Sequence, residues 1–228
     1  MKDQLEPLPG ISVHTLAIDL ATENAAGRVR DFCAKAGFDV EVLVNCAGFL
    51  IHGEVLHAEP ERIRSLIHLH TTTPTLLCRY FAESMIRRGK GYILNVSSIA
   101  AVMPFPTISL YGPSKTYLRT FTHALRTEMK PLGIHVTCLI PGATDTNLFD
   151  PELFNISMWK RLGFVKEPGS VASAGIKAVL ANRPECIPGF LNKVIVLSVP
   201  LLPYFLINLT YRWKKRFRKR SPEPRESG

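Results

Sequence analysis

Apolar and polar positions follow two periods along the chain, one typical of strands and one typical of helices. Strands are predicted for the short apolar runs at 12–18, 40–44, 91–98 and 135–140. Helices are predicted where apolar residues recur at helical spacing, over 23–35, 59–88, 113–130 and 170–181. Pro74 predicts a kink in the long second helix, and Gly89 predicts its end. Strands alternating with helices favour an α/β fold built on a doubly wound parallel sheet.

The C-terminal part of the chain has a different pattern. Residues 194–211 are eighteen in succession without a charge, and Pro200 and Pro203 count against a helix that spans a membrane. Residues 212–228 then hold eight Lys or Arg against two Glu, a net charge of +6 out of +9 for the whole chain. In place of a spanning helix, this order indicates an interfacial helix and a basic tail that contact a membrane surface over 194–220.

Two alternatives for this C-terminal part stay open. One is a packing helix of the domain followed by a solvated tail, which we weigh equally with membrane contact. The other is nucleic-acid binding by the basic residues, which is less favoured because the adjoining apolar segment suits lipid better.

Composition indicates a globular protein with one main domain. The chain has 228 residues, of which 46% are hydrophobic, and this suffices for one substantial core. Its five cysteines are widely spaced, without metal-ligand spacing or a disulfide framework, and are interpreted as buried, reduced thiols of a cytoplasmic protein. Residues 1–10 lack the apolar core of a signal peptide.

Residues 91–115 carry the candidate chemistry. Ser98 follows a predicted strand, at the edge where open α/β sheets place their sites. Tyr111 and Lys115 are four residues apart, so a helix presents both on one face. The Lys115 ammonium is expected to lower the pKa of Tyr111, which then exchanges a proton with a carbonyl or alcohol oxygen that Ser98 hydrogen-bonds. A cofactor must supply the hydride. The same residue types are also common in turns and on amphipathic helices.

Four motifs together resemble those of the short-chain dehydrogenase/reductase family, over residues 19–146. They are Asn45-Cys46-Ala47-Gly48, Asn95-Val96-Ser97-Ser98, Tyr111-x-x-x-Lys115 and Pro141-Gly142-x-x-x-Thr146. The resemblance implies a Rossmann-like fold and an oxidoreductase that reduces a ketone or oxidises a secondary alcohol. It also implies NADP or NAD as cofactor, with NADP favoured.

The resemblance assigns roles to individual residues. Ser98, Tyr111 and Lys115 are implied to be catalytic, and the last two also to contact the cofactor. Further cofactor contacts are implied for Asp19, Leu20, Asn45, Ala47, Gly48, Pro141, Gly142, Thr144 and Thr146. His70, a fourth catalytic candidate, stands where the family has an asparagine that completes a proton relay. Because a histidine can donate and accept hydrogen bonds, a water relay through His70 is a hypothesis, and the residue is expected to titrate near neutral pH. No metal is implied.

The start of the chain departs from the family pattern. A dinucleotide-binding fold opens with a strand, a glycine-rich turn and a helix that receives the pyrophosphate. Residues 1–18 contain a single glycine, Gly10, and so lack such a turn. The expectation is therefore a Rossmann-like domain over 1–190 that is incomplete at its N-terminus, followed by an apolar helix and basic tail over 191–228. The competing hypothesis is a catalytically inactive, truncated homologue that acts only by associating with partner subunits.

The resemblance also bears on partners. Family members commonly associate through two long helices, here 60–88 and 113–130, so a homo-oligomer is expected. An apolar, lipid-like small-molecule substrate is expected from the residues around Tyr111 and beyond Gly142: Phe105, Pro106, Ile108, Leu110, Leu148, Phe149, Leu153 and Phe154.

Overall fold

The structure, a computed structural model, describes residues 10–102, 105–145, 165–203 and 205. Within these ranges the α-helices and strands follow in the order α1 (Ala25–Lys35), β1 (Val42–Asn45), α2 (Pro60–Ile67), α3 (Thr73–Arg88), β2 (Gly91–Val96), α4 (Tyr111–Met129), β3 (Ile134–Leu139), α5 (Pro168–Leu180), β4 (Glu185–Cys186) and α6 (Phe190–Ser198). The predicted alternation of strands and helices is confirmed.

The described strands form one parallel sheet in the order β1-β2-β3-β4. Val44 pairs with Leu94, which in turn pairs with Thr137. Because parallel strands run in one direction, β1, β2 and β3 all end at the same edge of the sheet. The segments that follow them therefore lie side by side at that edge.

Helices cover both faces of this sheet, which makes it doubly wound. On one face Ile93 of β2 and Val136 of β3 are fully buried under α1, α3 and α4. On the other face Leu94 and Leu139 pack against α5, where Val179 is fully buried. Strands β2 and β3 have buried apolar residues on both sides, as expected for the covered part of a parallel sheet, whereas Val42 and Val44 of β1 are exposed on one side.

The predicted strand at 12–18 is wrong. Residues 11–19 have no regular secondary structure, and no described strand pairs with them. Leu16 is exposed there, and so is Ile11 just before it. A strand needs hydrogen bonds from a neighbouring strand, and an alternating sequence does not show whether such a neighbour is present.

The long helix predicted over 59–88 is divided in two. A π-helical turn, His68–Thr72, separates α2 from α3, and the Thr73 N–H donates to the carbonyl of His68. Pro74 follows this turn by two residues and has no N–H that could donate back to a carbonyl of the preceding turn. The irregularity therefore lies just before the proline. Gly89 ends α3 with φ 67°, as predicted.

The C-terminal elements were only partly predicted. Strand β4 has two residues, Glu185 and Cys186, too short a run to produce a periodic signal. Helix α6 begins at Phe190, before the uncharged segment, and a 3-10 turn, Val199–Leu201, follows it. None of the helices that the structure describes is long and apolar enough to cross a membrane.

Candidate active site

The loops after β2 and β3 are held together at the carboxyl edge of the sheet. The Ser97 N–H donates to the carbonyl of Leu139 at 2.8 Å, and the Ile99 N–H donates to the carbonyl of Pro141 at 3.0 Å. Ser98 lies between these two bonds. This places Ser98 beside the Pro141 loop, as expected where parallel strands end together.

The structure brings Ser98, Tyr111 and Lys115 together. Tyr111 is the first residue of α4 and Lys115 lies one turn later, and their side chains are only 9% and 4% exposed. The Lys115 ammonium lies 5.7 Å from the centre of the Tyr111 ring and donates to the carbonyl of Val96 at 3.0 Å. Ser98 is close enough to Tyr111 for its hydrogen bond to act on the phenol. Proton-transfer groups therefore meet at the end of β2.

The expected effect of Lys115 on the Tyr111 pKa is wrong. Burial raises the pKa of Tyr111, and the hydrogen bond with Ser98 opposes that rise only in part. Burial also lowers the pKa of Lys115 to about 8, while the nearby Cys46 thiol acts in the opposite direction. Near neutral pH Tyr111 is therefore a protonated phenol, ready to donate, and most Lys115 side chains are ammonium.

His70 is buried in the π-helical turn and hydrogen-bonds on both sides of its ring. Its Nε2 accepts the Phe49 N–H at 3.2 Å, so the proton of the neutral ring resides on Nδ1. Nδ1 donates to Ser114 Oγ at 2.8 Å, and Ser114 Oγ donates to the carbonyl of Tyr111 at 2.8 Å. One chain of hydrogen bonds thus connects the loop after β1 to the first turn of α4.

The expected titration of His70 near neutral pH is wrong. Burial, with a smaller contribution from the charge of Lys115, lowers the pKa of His70 to about 3. Since both ring nitrogens are already occupied as one donor and one acceptor, a second proton would break the bond from Phe49. His70 therefore remains neutral and fixed in one tautomer.

The turn after β1 lies beside the same groups. A Cβ atom at Gly48 would lie 2.8 Å from His70 Nε2 and 3.5 Å from Lys115 Nζ, so the backbone there passes too close for a side chain. Ala47 is exposed next to it. Asn45 at the strand end donates to Asn95 Oδ1 at 2.8 Å, which ties β1 to β2 in the sheet interior.

The loop after β3 contains three more of the candidate residues. Pro141 and Thr144 are partly buried, and Thr144 Oγ1 donates to the carbonyl of Gly142 at 3.2 Å. A side chain at Gly142 would overlap the carboxamide of Asn192, because α6 packs directly on this loop. Thr146 lies outside the described residues.

Asp19 and Leu20 are not hydrogen-bonded to the catalytic candidates. Asp19 is exposed, and its carboxylate accepts the Ala21 N–H at 2.9 Å. The Leu20 carbonyl accepts Thr73 Oγ1–H at 2.8 Å, which holds this segment against the start of α3.

Several residues at the site were not predicted. Ser114 could have been found, because it lies one turn after Tyr111 within the recognised motif, whereas neither the Phe49 backbone nor Asn192 gives a sequence signal. Cys46 corrects another expectation, since its thiol is exposed and not buried. Among the described residues no group of three or more His, Cys, Asp or Glu side chains could hold a metal ion.

A doubly wound parallel sheet with polar and titratable groups at its carboxyl edge defines a Rossmann-like α/β domain. The family model for short chain dehydrogenases matches residues 1–153. The chain therefore belongs to the short-chain dehydrogenase family.

Individual proteins are also similar to this chain. Human 17-beta-hydroxysteroid dehydrogenase type 3 is 29% identical over 194 residues, which cover 84% of this chain and 62% of that protein. Human very-long-chain 3-oxoacyl-CoA reductase is 25% identical over 192 residues, covering 78% and 61%. This chain thus spans about three-fifths of the length of these two relatives. A short-chain dehydrogenase from Sphingobium yanoikuyae, solved with NADPH, has the same fold, with 22% identity and a TM-score of 0.70 over 99% of this chain and 83% of that one.

Proposed function

We propose that this protein is an NAD(P)-dependent oxidoreductase that interconverts a ketone and a secondary alcohol. The observation that supports this most directly is the meeting of Ser98, Tyr111 and Lys115 at the end of β2. Tyr111 donates its phenolic proton to the carbonyl oxygen, and Ser98 hydrogen-bonds the same oxygen. The raised pKa of Tyr111 keeps that proton in place at neutral pH, which is the protonation state that donation to a carbonyl oxygen requires.

The described residues fit the nicotinamide and ribose part of such a cofactor. The turn at Gly48 passes close to Lys115 Nζ, and an ammonium group with three N–H donors suits the ribose hydroxyls. Ala47 and Asn45 on one side, and Pro141, Gly142, Thr144 and Thr146 on the other, are the residues proposed to border it. When bound, the cofactor supplies the hydride.

We assign no residue to the pyrophosphate. Within the described residues no turn rich in glycine opens a helix, and Asp19 and Leu20 are proposed only for the adenine end. NADP or NAD is proposed as the cofactor, with NADP favoured by the family resemblance, and similar structures that hold NADPH or NADH support both forms.

An apolar, lipid-like substrate is proposed. Phe105 is 41% exposed on the segment that leads into Tyr111, and Ile108 and Leu110 follow it. Leu148, Phe149, Leu153 and Phe154 lie outside the described residues. The names of the two human relatives give a hydroxysteroid and a very-long-chain 3-oxoacyl-CoA, and both have large apolar parts.

The partners proposed for the chain are a second copy of itself and a membrane surface. Self-association is assigned to the face of α3 and α4, where Tyr117 stacks on Phe121 with the ring planes 4° apart. Membrane contact is assigned to residues 194–220, so the protein would be cytoplasmic and peripheral. The proposed division between 1–190 and 191–228 falls at the first turn of α6.

Calorimetric titration of the 228-residue chain with NADPH and NADH tests the proposed function, with circular dichroism to show that the sample is folded. We expect NADPH to bind with a Kd on the order of micromolar, about −8 kcal/mol. A folded chain that binds neither dinucleotide would refute activity for this chain and favour the alternative, an inactive homologue that acts only by association.

A further inference from the structure

Helix α6 turns an apolar row toward solvent. Phe190, Val194 and Leu197 follow at spacings of four and three, and Leu201 continues the row in the next 3-10 turn. These four side chains, called the outer stripe below, are 78%, 45%, 73% and 82% exposed. Residues at these spacings share one face of a helix.

The opposite face of α6 is anchored to the domain. Val196 is 4% exposed and packs against Cys138 and Ile140 at the end of β3. Asn192 is 3% exposed, lies against Gly142, and donates to the carbonyl of Pro188 at 2.6 Å. The residues of α6 that pack on the domain are therefore on the other face of the helix. The exposure of the outer stripe does not result from a detached helix.

Exposure of this extent is unusual on a helix whose other side is packed. A surface helix normally presents polar residues to water, and a continuous apolar patch on a soluble surface marks a contact site. The only charged residue between Phe190 and Ser198 is Lys193. An occupant that covers these large side chains removes apolar surface from water, and this favours its binding.

The charge of the following sequence identifies the occupant. The last seventeen residues, 212–228, carry eight Lys or Arg against two Glu. Apolar side chains next to a cationic segment suit an anionic lipid surface, which takes up the first and attracts the second. Two copies of the chain joined at this face would instead bring two tails of +6 close together, and like charges repel.

We propose that the outer stripe of α6 docks on an anionic membrane surface, with the basic tail contacting the lipid headgroups. Because Asn192 on the inner face contacts the candidate loop at Gly142, docking would hold the candidate site next to the bilayer. The docking rests on the membrane contact proposed above and specifies its residues and the charge of the lipid, and it does not depend on catalysis. Delivery of an apolar substrate from the lipid rests on the proposed oxidoreductase activity.

Cosedimentation of the full chain with vesicles tests the proposal without cofactor or turnover. The vesicles contain phosphatidylcholine alone or with about 30 mol% phosphatidylserine. Leu197→Glu/Leu201→Glu removes two side chains of the stripe, and Val55→Glu/Leu56→Glu is the matched control, with equal added charge at two exposed apolar residues elsewhere. All four positions are exposed, so both variants are expected to fold.

We expect the wild type and the control to bind phosphatidylserine vesicles. The stripe variant should bind them more weakly, by a factor of about ten or more. Binding should also weaken with added salt. Equal binding by both variants would overturn the proposal, because the tail alone would then suffice. Absence of wild-type binding would also overturn it, and a stripe variant that instead loses self-association would identify a protein interface.

Discussion

Tyr111 is the residue on which the proposed chemistry depends most directly. Tyr111→Phe removes the hydroxyl and keeps the ring, whose edge packs on His70 with the centroids 5.6 Å apart. We expect turnover to fall about 10²- to 10⁴-fold, the usual contribution of a general acid. Cofactor affinity should change by about twofold or less, since Lys115 is retained.

Steady-state kinetics measures the change in turnover, and calorimetric titration measures the change in cofactor affinity. Tyr80→Phe is the control, because Tyr80 contacts Arg30 and Arg79 through its ring on α3, away from the site. Turnover in Tyr111→Phe comparable to that of the control would refute the catalytic assignment.

His70 makes the stability of the fold depend on pH. The pKa of a histidine is about 6.5 in an unfolded chain, and burial lowers that of His70 to about 3 in the fold. Between these values the unfolded chain binds more protons, so the contribution of His70 is complete above pH 6.5 and is lost as the pH falls toward 3. His70→Asn should remove this loss, which amounts to about 1.4 kcal/mol per pH unit at most.

Urea unfolding at pH 5 and pH 7.5 checks this prediction. The measured quantity is the free energy of unfolding of the wild type minus that of His70→Asn at each pH. His57→Asn, the same change at an exposed histidine, is the control. If the difference for His70→Asn does not change between the two pH values, His70 is not held neutral.

Cys46 should be the first thiol to react with iodoacetamide. It is the exposed cysteine, whereas burial raises the pKa of Cys33, Cys78, Cys138 and Cys186 and reduces their thiolate fraction. Intact-mass measurement should show one fast addition, which Cys46→Ser abolishes and Cys186→Ser leaves unchanged. Fast labelling that survives Cys46→Ser would contradict the exposure seen in the turn after β1.

At the residue scale, the sequence predicts which residues form the candidate site better than it predicts the surroundings that set their pKa values. Helix spacing was enough to put Tyr111 and Lys115 on one face, whereas Ser98 joined them through its place at a strand end and through the family resemblance. The direction of the Tyr111 pKa shift was not predictable, since it depends on how much water the fold removes from the phenol. The same holds for His70, whose partners come from the Phe49 backbone and from α4.

At the element scale two glycine turns hold neighbouring strands in place. Gly89 ends α3 before β2, and Gly133 ends the 3-10 turn before β3, both with left-handed φ. A Cβ at Gly133 would overlap the backbone carbonyl of Gly89. Gly37 has a similar φ of 68° with nothing within 4 Å of a Cβ, so Gly37→Ala is a matched control that tests backbone strain alone.

We expect Gly37→Ala to cost about 1–2 kcal/mol of unfolding free energy, the price of a left-handed alanine. Gly133→Ala should cost clearly more, because backbone atoms must also move. Urea unfolding of the two variants measures the difference. Equal losses of unfolding free energy would mean that the close approach of Gly133 to Gly89 does not contribute to stability.

Elements with a strong period were predictable, and those set by their neighbours were not. Helix α4 and strand β3 carry their own apolar patterns, and their observed ends lie within two residues of the predicted ends. Residues 12–18 alternate like a strand and yet stay irregular, because pairing requires a second strand. The π-helical turn depends on where Pro74 withholds its N–H, and the sequence indicated only that some irregularity would occur.

At the scale of the whole molecule, we propose that the face formed by α3 and α4 binds a second copy of the chain. Tyr117 is 42% exposed, stacks on Phe121 with ring centroids 6.0 Å apart, and shares a hydrogen bond of 3.0 Å with Thr75 of α3. A rigid aromatic pair at a helix surface is a good anchor for an interface, because little side-chain entropy remains to be lost.

Tyr117→Arg should therefore convert a dimer into a 25.4 kDa monomer in sedimentation velocity. Ile176→Arg is the matched control, since Ile176 is 39% exposed on α5, across the sheet. Leu197→Glu/Leu201→Glu should also leave the dimer intact, because the outer stripe of α6 is assigned to lipid. A monomeric wild type would exclude this interface, and a dimer lost only in the α6 variant would move the interface to α6 and withdraw the membrane assignment with it.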